Sequence, residues 1–88
     1  MKKEQHVYKV IEVNGVIAVH VLSRKATLEQ LQQWTGSGYI EIVRLLPKQW
    51  VVVNEEGAVN GMPPNPHVSF NGAPLHGPVV FLPNGCQS

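Results

Sequence analysis

The chain has 88 residues, with 7 Lys and Arg against 6 acidic residues, all of them Glu, for a formal net charge of +1. That length allows one small domain, and 43% hydrophobic against 15% charged residues excludes both a disordered tail and a solvated helical rod. The low charge argues against a general DNA or RNA coat, which needs many Lys and Arg on phosphates, but leaves room for one small anion held by a local cluster.

A lone cysteine, Cys86, excludes an internal disulfide, and His6, His20, His67 and His76 have no zinc-type spacing. A chain this short, with neither staple nor metal, is most readily stabilised by self-association, so a homo-oligomer, dimer or tetramer, is expected. The charged start has no apolar run behind it, and Val16 to Leu22 is too short to span a bilayer; a cytoplasmic protein is expected.

Residues 7–13 (VYKVIEV) and 16–22 (VIAVHVL) flank Asn14-Gly15, the strongest short-range signal for a two-residue hairpin, because both turn residues tolerate positive φ. The hairpin predicted over 7–22 has two partly apolar faces, so it needs a helix on one side and another layer, such as a second subunit, on the other. Thr27 with Gln30 fits a capping box opening a helix over 27–35. Leu28 and Leu31, extended to Trp34, form its apolar stripe, and Gly36 and Gly38 stop it.

Two strands follow within 39–54. In the first, Ile40, Ile42 and Arg44 face one way and Tyr39, Glu41, Val43 and Leu45 the other; in the second, Trp50 to Val53 reads as buried on both faces. Asn54-Glu55-Glu56-Gly57 is a turn, with Gly57 expected at positive φ. Six of the seven prolines lie from residue 63 onward, so 61–78 reads as a Pro-rich loop, with one helical turn capped by Asn65-Pro66 and running through His67-Val68. Residues 79–82 make a last strand, and the end after Pro83 is expected to fray.

The segments LEQLQQWTGSGYIEIVRL, WVVVNEEGAVNGMPPNP and LHGPVVFL resemble a family of short proteins of unassigned function from bacteriophages, plasmids and other mobile elements. The pattern sits at Gly38-Tyr39-Ile40-Glu41, Val53-Asn54-Glu55-Glu56-Gly57, Asn65-Pro66 and Gly77 to Phe81, covering roughly residues 28–82. By size and strand content the chain also resembles phage sponges, which bind cyclic nucleotide messengers of anti-phage signalling. That resemblance implies a cyclic di- or oligonucleotide as ligand.

Three groups of residues are candidates for such a site. Asn54, Glu55 and Glu56 could meet the edge of a purine, since carboxylates accept from exocyclic amines; equally they form a polar turn in which Asn54 bonds its own backbone. Tyr39 could stack on a base and Arg44 hold a phosphate, with Glu41 beside them, or Glu41 or Glu56 could pair with Arg44 across strands while Tyr39 packs. Trp34, beside Gly36-Ser37-Gly38, is a stacking candidate or a core residue. Asn65 and His67 stand in the Pro-rich segment, which either holds a ligand or covers a sheet edge.

Catalysis finds little support. The chain has no Asp, Glu55 and Glu56 are adjacent and would point apart, and Cys86 has no evident base beside it. The sequence therefore predicts an α+β domain of about five mainly antiparallel strands with one short helix and a Pro-rich loop. No enzyme, cofactor, metal, DNA or membrane is expected. The expected role is capture of a cyclic nucleotide; the alternative is a small module that inhibits or assists a host protein.

Overall fold

The computed structural model describes residues 5–36 and 38–83. Residues 1–4, Ser37 and 84–88 lie outside them, and with them the readings placed on Cys86, on the frayed end and on the middle of the Gly-Ser-Gly turn.

The Val- and Ile-rich runs form β1 (His6–Ile11) and β2 (Ile17–Leu22), the capped segment forms α1 (Leu28–Thr35), and the next runs form β3 (Ile40–Leu46) and β4 (Gln49–Asn54). After them come β5 (Pro64–Phe70), β6 (Ala73–His76) and β7 (Val79–Phe81). Five strands make one antiparallel sheet in the order β2-β1-β7-β4-β3, and β5 and β6 make a second sheet of two. The architecture is α+β, as expected.

Alternation on the central strands divides the interior in two. Tyr8, Val10, Val52, Val80 and Leu82 meet Leu31 of α1 on one face. Val43, Val51, Val53 and Val79 meet Val68 of β5 on the other, with Leu75 of β6 alongside. The helix begins as predicted: Thr27 Oγ1 accepts from the Gln30 amide at 3.1 Å, and Gln30 Oε1 accepts from the Thr27 amide at 2.8 Å. Gly36, at φ 100°, closes it. Leu31 and Thr35 are buried, but Leu28 is 60% exposed, so the apolar stripe is shorter than expected and starts one turn later.

Three expectations need correction. The loop predicted over 61–78 contains β5 and β6, and no helical turn forms at His67-Val68. A two-stranded ribbon has a free edge on each strand, so prolines that would break an inner strand lose no required hydrogen bond there. This ribbon, and not a second subunit, is the layer that covers the inner strands opposite the helix. The first hairpin is not the two-residue type: Ile11 pairs with Ile17, Gly15 donates to Glu12 O at 3.0 Å, and only Gly15 of the Asn14-Gly15 pair has positive φ. The two-residue turn occurs at Asn71-Gly72, both at positive φ (53° and 81°), between the paired Phe70 and Ala73.

Gly57 is the third correction. It is not among the positive-φ residues; it is buried, and a Cβ there would lie 3.2 Å from both Cβ and O of His76. Glycine is needed at this point because β6 approaches closely.

Candidate functional site

The strand directions gather several of the predicted residues, but not Trp34 or Arg44, toward one end of the sheet, where β1 finishes, β4 finishes and β3 and β7 begin. What they do there is mostly hold the fold. Asn54 is buried; its Oδ1 accepts from the Glu56 amide at 2.9 Å and its Nδ2 donates to Thr35 O at 3.4 Å. It therefore ties the turn after β4 to the end of α1. Asn65 is fully buried, with Nδ2 donating to Ile11 O at 3.0 Å and Gly77 O at 3.1 Å while Oδ1 accepts from the His67 amide at 3.0 Å. It fastens the ribbon to the end of β1.

Around these amides the chain is knotted by Met62. A Cβ on Gly77 would lie 2.7 Å from its Sδ and one on Gly36 would lie 2.5 Å from its Cε. Nδ1 of His76 is 2.9 Å from Met62 O, and because a carbonyl only accepts, the ring nitrogen donates. His67 is exposed, with its ring edge over Gly15.

The remaining predicted residues are spread out. Trp34 is half-buried, stacked on His20 at 4.4 Å and 19° between planes, with Tyr8 at 5.5 Å. Arg44 lies on the helix face of β3 and holds its guanidinium 5.7 Å from the ring centre of Trp50, its cross-strand partner. Tyr39 is 70% exposed just before β3, with its carbonyl accepting from the Glu55 amide at 2.9 Å. Glu41, Glu55 and Glu56 are exposed at the same end. Tyr39 and the three glutamates share that solvent-facing rim with His67, while Trp34, Arg44, Asn54 and Asn65 are engaged in packing or bonding.

The opposite end holds a cleft of about 500 Å³ that the sequence reading did not find, lined by Gln5, Val7, Lys9, Gln49, Phe81, Leu82 and Pro83. Strand register explains its shape. Phe81 lies between Lys9 of β1 and Val51 of β4, and Leu82 continues the course of β7 by donating to Trp50 O at 3.0 Å. Gln5, Val7 and Lys9 line one wall by alternation along β1, and Gln49 lines the other. The Gln49 Nε2 donates to Trp50 O at 3.0 Å and to Leu82 O at 3.4 Å, which fixes this amide against the strand behind the cleft. The β5–β6 ribbon covers the other half of this face. Chemically the cleft offers one ammonium, two primary amides and a half-buried aromatic ring. Its only sequence signal was the Gln5, Val7, Lys9 alternation, which needs Gln49 and Phe81 brought alongside to mean anything.

No helix among the described residues is long and apolar enough to cross a membrane. The fold is thus a helix and a ribbon packed on opposite faces of one antiparallel sheet, with structural amides at one end and an open cleft at the other. The chain belongs to a family described as a domain of unknown function, DUF3846, whose model matches residues 4–87. No curated protein and no solved structure matches it.

Proposed function

We propose that the protein binds a nucleotide anion in the cleft between β1 and β4 and holds it without changing it, with cyclic di- and oligonucleotide signals as the first class to test. The cleft carries the reading. Its volume of about 500 Å³ lies within the ~300–1,000 Å³ usual for small-ligand sites. Phe81 offers a ring for a base, Gln5 offers an amide and Gln49 its amide oxygen to a purine edge, and Lys9 offers a cation to a phosphate. Amides neither take nor give protons at neutral pH, so this lining suits retention better than turnover. In this reading the protein acts as a sponge in the cytoplasm of a bacterial host, as the likeness to mobile-element proteins suggests.

Calorimetric titration with linear and cyclic mono- and dinucleotides, together with native mass spectrometry of the purified protein, tests it. One nucleotide should bind per chain, and Lys9→Ala should weaken it about tenfold or more, as loss of a charged contact does. Absence of binding to every member of the panel would sink the reading. So would a retained polypeptide in place of a small molecule, which would favour a module acting on a host protein.

A further inference from the structure

The five-stranded sheet has two edges, and the chain treats them differently. β3 carries Glu41 and Arg44 in mid-strand and a register shift between Arg44 and Leu46; charges and bulges of this kind keep foreign strands off an edge. β2 has neither. It pairs with β1 in unbroken register, contains no Lys, Arg, Glu or Pro, and has no strand on its outer side among the described residues.

The turn before β2 sets which of its backbone groups face outward. The Glu12 amide donates to Val16 O at 2.9 Å, so the alternation of an antiparallel ladder turns the amides and carbonyls of Ala18, His20 and Leu22 toward β1 and those of Ile17, Val19 and Val21 toward the open edge. The side chains of the same outward-bonding residues are 56%, 55% and 54% exposed, and Val7 of β1 extends their row across from Val21. Backbone valence and apolar surface are therefore open on the same residues.

The geometry points to a second copy of this chain as the occupant, its β2 bound antiparallel about a two-fold axis through Val19. In that register Val19 meets the partner's Val19 and Ile17 meets the partner's Val21, so outward amides meet only outward carbonyls and the apolar row continues from one sheet into the next. Charge favours the same arrangement. Arg24 and Lys25 follow β2 and come against the turn that carries the partner's Glu12, while the two Arg24 residues stand on the order of 30 Å apart, given ~3.4 Å per strand residue. Parallel pairing would bring like charges together. This surface borders the cleft wall, since Val7 belongs to both and Val19 pairs with Lys9 across the strands, so the dimer is tested on the chain without added nucleotide.

Sedimentation equilibrium tests it, with hydrogen exchange as a second reading. The wild-type chain should sediment at twice its 9.7 kDa mass, and the amides of Ile17, Val19 and Val21 should become slower to exchange as concentration rises. Val19→Lys should sediment as a monomer with an unchanged far-UV spectrum, while Ile42→Lys on the opposite edge should remain a dimer. A wild-type monomer at every concentration up to about 100 μM would overturn the proposal. A dimer that leaves the Val19 amide unprotected, or that Ile42→Lys dissociates, would overturn it equally.

Discussion

Asn65 shows how one amide can hold two layers together. It is fully buried and its side chain satisfies two carbonyls and one amide hydrogen at once. Truncation by Asn65→Ala leaves these groups without their partner, and unpaired buried polar groups cost ~1–3 kcal/mol each. A loss of about 2–4 kcal/mol is expected, a large fraction of the ~4–13 kcal/mol that a chain of this length has in total. Asn65→Asp should be worse although it is nearly isosteric, because it turns the donor that faces Ile11 O and Gly77 O into a second acceptor in a buried place. Urea denaturation of the two variants measures this ranking, and an Asp variant as stable as wild type would contradict the role assigned. The family-like residues Asn54, Gly57, Asn65 and Gly77 all have such architectural work, which explains why a recurrent pattern in the sequence pointed to the fold more directly than to a ligand.

Elements differ in how well their local sequence decides them. α1 was legible because its cap is a local hydrogen-bonded unit, and Thr27→Ala should cost about 1 kcal/mol whereas Thr27→Ser should cost little, as thermal melting would show. The β strands of the main sheet were legible from Val and Ile alternation. The ribbon was not, because proline lowers strand propensity on average and only the absence, among the described residues, of a neighbouring strand on each outer edge makes it harmless here. The two Asn-Gly pairs make the same point. Both announce hairpins, yet they form different turns. At Asn71-Gly72 both residues occupy the left-handed region and the strands resume at once. At Asn14-Gly15 only the glycine does, and Asn14 Oδ1 accepts from the Val16 amide at 3.0 Å on the surface. Gly72→Ala, at φ 81°, should therefore lose about 1–2 kcal/mol. Asn14→Ala, whose hydrogen bond water can replace, should lose less than about 1 kcal/mol. Equal losses in chemical denaturation would mean that the turns are not distinguished in this way. The cleft escaped the sequence reading for a related reason: its walls come from β1 and β4, and although the last strand was legible, nothing local in the sequence shows that it lies between them.

At the scale of the molecule, the two interiors share their strands. Val51 and Val53 face the ribbon while Val52 between them faces the helix, and Val79 and Val80 divide in the same way on β7. A strand released from one side cannot keep its register on the other, so the ribbon and the helix should unfold together despite being separated by a sheet. Val68→Ala tests this coupling. Val68 is buried on the ribbon side, and removing its methyl groups should cost about 1–3 kcal/mol, or roughly 4–8 °C in Tm per kcal/mol for a domain of this size. Both tryptophans report from the opposite face: Trp34 is stacked on His20, and Trp50 packs against the helix-side core. If the interiors are coupled, tryptophan emission in Val68→Ala shifts its midpoint by the same amount as the far-UV signal. If the ribbon were a separate unit, the far-UV signal would acquire an early step while the tryptophans melted at the wild-type temperature. The shared valines of β4 and β7 favour the first outcome, because no residue of the central strands could then change its packing on one face without moving the backbone that both faces use.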